Sequence, residues 1–274
     1  MTEPAVLYEV RDRIATVTFN RPERLNAFNA DIEIGLRQAM IAAARDEAVR
    51  VIILTGAGRG FCAGADMDRL SGAVSAGGAN VPSESRQPLD VGGSTRADFQ
   101  HKYTYFPAVP KPIIAAVNGP AAGLGFIFAC YCDIRFAGSD AVFTTAFSRR
   151  GLIAEYGLSW LLPRMVGPGH AFDLLYSARR VSAQEAEQIG LVNRVLPQAA
   201  LMDGVREYAG ELANAVSPRS MRVMKRQVWD AMLQGLGDSV EVANEEMRHS
   251  FKSDDFREGV AHFVEKRAAR FTGR

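Results

Sequence analysis

Cysteine is scarce in this chain: Cys62, Cys130 and Cys132 are the only three among 274 residues. An odd number without metal-type spacing excludes a disulfide framework and reads as buried, reduced thiols in a cytosolic protein. The four histidines, His101, His170, His249 and His262, are scattered, and no two stand at ligand spacing. An excess of one charge is missing too: 32 Lys and Arg face 31 Asp and Glu, a formal net charge of +1. With no block of either sign, nothing argues for nucleic acid or an anionic membrane surface as partner. No apolar run approaches the length of a bilayer span, and the start, MTEPAVLYEVRDR, has no apolar core of a secretion signal. These absences predict a cytoplasmic protein without metal, membrane or nucleic acid.

What is present is apolar content, 47%, enough for a substantial core, and glycine in two informative places. In Val117–Asp133 (VNGPAAGLGFIFACYCD) a β-type run ends at Asn118-Gly119-Pro120, and a small-residue turn opens an apolar helix. Gly123 and Gly125 flank Leu124, so backbone can approach a ligand there with no Cβ in the way. The first amides of a helix lack internal partners and carry the positive end of its dipole, which suits an oxyanion or a phosphate. A tightly packed glycine turn with no ligand is the alternative. A second turn of similar type, Phe61–Asp66 (FCAGAD), favours a site.

Along the chain, Val6–Val10 and Ile14–Phe19 alternate as a hairpin. A helix follows from about Asn29, with Ile32, Leu36, Ala39, Met40 and Ala43 on one face. Val51–Thr55 is a buried strand. Ser71–Arg96, rich in Gly, Ser, Ala and Pro, reads as a mobile loop over the site, and a helix is expected near Ala97–Phe106. Strand Ile113–Val117, the glycine turn, a helix to about Tyr131 and strands at Ile134–Ala137 and Val142–Thr144 repeat the first pattern. The repeat argues for an α/β fold of stacked ββα turns rather than a doubly wound sheet. Gly151–Arg164 leads into a helical third, with short helices at Ala171–Ser177 and Ala183–Gln188 and a strand at Leu191–Leu196. Helices are expected at Gln198–Val216, Met221–Leu233, Val240–Phe251 and Asp254–Ala269. Residues 1–200 thus form a core, and 201–274 an amphipathic helical region that needs a surface to cover.

From about residue 5 onward the chain resembles the crotonase superfamily, the enoyl-CoA hydratase/isomerase family. The likeness rests on NRP…LNA (Asn20 to Ala27), AGAD (Ala63 to Asp66) and NG…GLG…CDI (Asn118 to Ile134). SAQEA…GLV (Ser182 to Val192) and EG…F…EKR (Glu258 to Arg267) extend it. It implies a spiral of ββα repeats with a C-terminal helical oligomerisation region, assembled as a trimer or dimer of trimers. It also implies an acyl-CoA thioester whose carbonyl oxygen is held by the amides of Ala65 and Leu124. No separate cofactor is implied, because coenzyme A enters as part of the substrate. CoA contacts are implied for Arg24, Leu25 and Ala27, for Ala63, Asp66 and Met67, and for Gly123 beside the oxyanion turn. Phe263 and Lys266 would reach CoA from the same or an adjacent subunit, with a solvated helix face as the alternative for Lys266.

The sequence departs from the hydratase pattern where water is activated. Family hydratases use two glutamates, and the matching positions here are Ile127 and Phe147. Neither can move a proton, so ordinary hydration is not expected. One carboxylate stands in a telling place: Glu155, just before a helix with Leu158, Trp160 and Leu161. Its position is similar to the catalytic glutamate of peroxisomal-type Δ3,Δ2-enoyl-CoA isomerases, and one base suffices for a 1,3-proton shift. A helix cap is the alternative role for Glu155. Asp133 reads as orienting the strand after the helix, and Trp160 and Phe147 as pocket or core wall. His101 and Tyr105 read as packing or surface residues, with the acyl pocket as alternative. The expected function is 3-enoyl-CoA to 2-enoyl-CoA isomerisation; the alternatives are hydration, another thioester-enolate reaction, or a non-catalytic acyl-CoA binder.

Overall fold

The structure, a computed structural model, describes residues 3–66, 71, 72, 75, 89, 91 and 96–274. Most of the loop expected over 71–96 and the candidate Met67 lie outside the described residues. Six strands form the main sheet: β1 (Val6–Arg11), β2 (Ile14–Phe19), β3 (Val51–Gly56), β4 (Ile113–Val117), β6 (Ile134–Gly138) and β9 (Arg194–Leu196). They lie side by side in that order, the β1–β2 hairpin antiparallel and every later pair parallel. A smaller sheet joins β5 (Ala121–Ala122), β7 (Val142–Thr144) and β8 (Val181–Ser182).

Strands such as VIILT and IIAAV carry no polar alternation because both faces of the main sheet are covered. On one face Ile52, Leu54, Ile113, Ala115 and Val117 join the large core with α1 (Ala30–Arg45) and α2 (Leu124–Tyr131). On the other, Val51, Ile53, Ile114 and Ala116 pack against Leu201, Val205, Ala209 and Ala213 of α5 (Leu201–Ala215). Helix α1 starts where a cap is present: the Asn29 side chain accepts from the amide of Ile32.

Three expectations change. The helix near 97–106 is two short 3-10 turns, Ala97–Gln100 and Phe106–Ala108, interrupted where Tyr103 takes a left-handed φ of 67°. Tyr103 there packs edge-on to Phe28, Phe128 and Tyr156, so ring packing overrides the local helical preference. The segments around Gly151–Arg164 and Ala171–Ser177 share one helix, α3 (Leu158–Ser177), kinked at Gly167 ahead of Pro168. The strand expected from Leu191 begins only at Arg194, because Leu191 and Val192 form a buried turn after α4 (Ala183–Gln188). Helices α6 (Pro218–Ala231), α7 (Leu236–Ser250) and α8 (Asp254–Glu265) complete the chain. Leu236, Met247, Val260, Phe263 and Val264 on the last two are exposed. No helix among the described residues is long and apolar enough to cross a membrane.

Candidate active site

The site is assembled where β3 and β4 end. After β3 the chain runs through Gly56–Gly60, and two asparagines fix that loop. Asn26, wholly buried, accepts from the amide of Arg21 and donates to the carbonyls of Ala57 and Gly60. Asn118 accepts from the amide of Gly56 and donates to the carbonyls of Gly56 and Gly58. Leu25 and Asn26 both adopt left-handed φ, 51° and 57°, which bends the LNA segment back onto the loop.

The two glycine turns then lie against each other. Cys62 donates its amide to Pro120 and accepts from the amide of Ala122, each at 3.0 Å. A Cβ on Gly64 (φ 96°) would stand 3.0 Å from the Ala122 carbonyl, and one on Gly125 would stand 2.1 Å from that of Cys62. Gly125 is therefore required for packing of α2 on the first turn, not for approach of a ligand. Gly123, at φ 51° and ψ −113°, occupies backbone space that only glycine reaches readily, and it aims the start of α2.

Two amides stand outside these pairings. Gly64 accepts from Phe28 and Asp66 donates to Phe28, at 2.7 and 3.0 Å, so the intervening Ala65 turns its own N–H the other way. Leu124 is the first residue of α2, ahead of the intrahelical ladder. Neither amide has an acceptor among the described residues. Both residues line a cavity of about 110 Å³ with Ala63, Gly64, Gly123, Phe147, Arg150, Leu152, Glu155 and Tyr156. Two preorganised N–H dipoles in one cavity can hold an oxygen that gains negative charge.

Glu155 is the sole carboxylate in that wall among the described residues. It sits on a turn bounded by Gly151 (φ 69°) and Gly157 (φ 75°), with Tyr156 forced to φ 48° between them. A tyrosine in the left-handed region stores strain, which persists only where the surroundings hold it. Here Tyr131 donates its hydroxyl to the Tyr156 carbonyl at 2.7 Å, and the Tyr103 ring packs on that of Tyr156 at 4.7 Å. Gly157 is the cap residue of α3, and the amide of Leu158 donates to the Glu155 carbonyl.

The remaining candidates divide. Leu25 and Ala27 lie beside the first turn: Ala63 donates its amide to Leu25, and Arg21 donates to the Ala27 carbonyl. Arg24 is exposed next to them. Asp66 is buried in an ion pair with Arg21 at 2.8 Å and does not line the cavity. Phe263, 79% exposed, and Lys266 after the end of α8 do not line it either. Ile127 is wholly buried within α2, whereas Phe147 is a cavity wall. Asp133 accepts from the amide of Ile113 and from the Trp229 indole and pairs with Lys225, which makes it a tie between elements. Burial pushes the Cys62 thiol up to about 12, so it is no thiolate nucleophile at neutral pH. Arg150 and Leu152 went unnoticed in the sequence; their only signal is their place between Phe147 and Glu155.

Known proteins place this architecture. Residues 9–274 match the family described as enoyl-CoA hydratase/isomerase. The 1,2-epoxyphenylacetyl-CoA isomerase of Escherichia coli K12 is 35% identical over 269 residues, covering 98% of each chain. The crotonyl-CoA hydratase of Syntrophomonas wolfei is 32% identical over 267 residues, covering 97% of each. The crystal structure of an enoyl-CoA hydratase from Mycobacterium tuberculosis H37Rv superposes with a TM-score of 0.85 at 32% identity, covering 99% of this chain and 100% of that one.

Proposed function

This chain belongs to the enoyl-CoA hydratase/isomerase family, and from that premise we propose that it converts a 3-enoyl-CoA to the 2-enoyl-CoA with Glu155 as its single base. The observation that carries the reading is the wall of the small cavity: among the described residues it holds one carboxylate beside two amides without an acceptor, with Phe147 where a hydratase has its second glutamate.

The thioester oxygen sits between the amides of Ala65 and Leu124. The Glu155 carboxylate takes the proton from C2, and the electron pair passes into a dienolate whose charge rests on that oxygen. Loss of one such donor typically raises the barrier by about 3–4 kcal/mol. The carboxyl group then returns its proton to C4, the C2–C3 double bond forms, and Glu155 is again a carboxylate. No water enters. Phe147 supports this course, because an apolar ring at that point denies a nucleophilic water its second anchor.

The CoA portion runs from this cavity along Ala63 and the Arg24–Ala27 segment. The exposed apolar side chains of α7 and α8 support a trimer or dimer of trimers, with Phe263 and Lys266 closing on CoA. One finding favours a second reading, hydration with Glu155 alone: the 32%-identical relative from Syntrophomonas wolfei is a crotonyl-CoA hydratase. A paired assay separates the two. Turnover of a 3-enoyl-CoA that falls about 10²–10⁴-fold in Glu155→Gln, with thioester binding retained, is the expected result. Hydration of a 2-enoyl-CoA at a comparable rate would overturn the isomerase reading, and binding without any turnover would mark a non-catalytic acyl-CoA binder.

A further inference from the structure

A second cavity, of about 350 Å³, adjoins the Glu155 turn. Tyr156 stands in the walls of both cavities; its neighbour Glu155 lines the first and its other neighbour Gly157 the second. The first cavity has room for the thioester and the reacting carbons only, so the remainder of an acyl group needs another compartment. The second has the size of a small-ligand site.

Its walls are unusual for an unbranched chain. Phe99, Tyr131, Tyr156, Trp160 and Trp229 all contribute. Phe99 meets Trp229 edge-on with ring centres 6.1 Å apart, and Tyr131 stacks on Trp229 at 6.3 Å. Such walls reward a flat ring with edge and face contacts that a flexible chain cannot match.

Among the described wall residues, the His101 imidazole and the Trp160 indole N–H have no hydrogen-bond partner. Asp98 is paired with Arg96, Lys102 with Glu33, and the Thr104 hydroxyl donates to backbone carbonyls. His101 differs: its Nδ1 is buried without a hydrogen-bond partner, and its Nε2 meets none among the described residues. With no partner at Nδ1 to fix the tautomer, a ligand oxygen at Nε2 would itself decide whether that nitrogen donates or accepts.

Resting on the acyl-CoA reading above, we propose that this cavity holds the acyl group and selects a flat ring bearing a hydrogen-bonding oxygen, which His101 reads. His101 is then a specificity residue, separate from the proton transfer at Glu155.

The test is equilibrium binding of octanoyl-CoA, phenylacetyl-CoA and 4-hydroxyphenylacetyl-CoA to the full chain. Each ring thioester is expected to bind about 10-fold tighter than octanoyl-CoA, with a further gain of about 10-fold for the hydroxyl. His101→Phe should erase the hydroxyl preference while His101→Gln keeps most of it. Trp160→Leu, a half-buried position, should narrow the ring preference alone. Equal or tighter binding of octanoyl-CoA, or a hydroxyl preference unmoved in His101→Phe, would overturn the proposal and leave the acyl-CoA reading standing. Failure of all three thioesters to bind would overturn both.

Discussion

At the end of the sheet where β3, β4 and β6 begin, charged side chains are committed to the backbone. Lys111 donates to the carbonyls of Ala43 and Asp46, and Arg50 to those of Ala213 and Phe271. Lys225 donates to the Lys111 carbonyl and pairs with Asp133, whose carboxylate also takes the amide of Ile113. At the opposite end, where β3 and β4 finish, the neutral amides of Asn26 and Asn118 shape the loop beside the turns, and among the described residues two backbone N–H groups have no acceptor. Open α/β sheets bind ligands at the carboxyl ends of their strands, and this contrast gives a physical reason. At the starting end charged side chains take up the backbone groups, whereas at the finishing end Arg21 is tied to Asp66, Arg150 stands in the cavity wall, and two backbone N–H groups are left for a ligand among the described residues.

Three perturbations sharpen that contrast. Asp133→Ala removes the acceptor shared at the starting end by the Lys225 ammonium, the Ile113 amide and the Trp229 indole. A stability loss of about 3–5 kcal/mol is expected in denaturant melts, with the rate per folded molecule far less affected than by a change at the finishing end. Gly123→Ala strikes the finishing end. Its backbone cannot keep φ 51° and ψ −113° at little cost, so the Leu124 amide should lose its aim. The rate should fall about 10²–10³-fold, as for loss of one oxyanion donor, against a stability loss of only about 1–3 kcal/mol. Equal damage to rate and stability at both ends would break the comparison.

The smallest effect is electrostatic. Burial pushes the Lys111 ammonium down to about 8, with Asp46 and Glu47 opposing. Between there and its ordinary value of 10.5 the unfolded chain holds more protons than the folded one. Stability from this group therefore rises with pH across that window. Thermal midpoints of wild type and Lys111→Met, compared from pH 8 upward, should show the wild type gaining on the variant; a constant gap would refute the assignment.

Much of this was legible because it is local. Asn29 capping α1, the uninterrupted apolar strands and the glycine turn ahead of Leu124 each follow from a few adjacent residues. The sequence also isolated Glu155, and the fold brings it into one cavity with Ala65 and Leu124. What could not be read depends on distant partners. Nothing near Asp66 announces Arg21, and nothing near Tyr103 announces the three rings that pull it from a helix. Gly125 looked like an opening for ligand until the Cys62 carbonyl proved to lie against it. Arg150 has no motif of its own and joins the cavity only because the turn after β7 brings it there.

The most direct test of Glu155 as the base is exchange at C2. A 3-enoyl-CoA is incubated with wild type and with Glu155→Gln in deuterium oxide, and the C2 protons are followed by NMR. Deuterium at C2, or hydrogen movement to C4, is expected with the wild type, and a slowing of at least about 100-fold in the variant. Exchange in Glu155→Gln at the wild-type rate would contradict it.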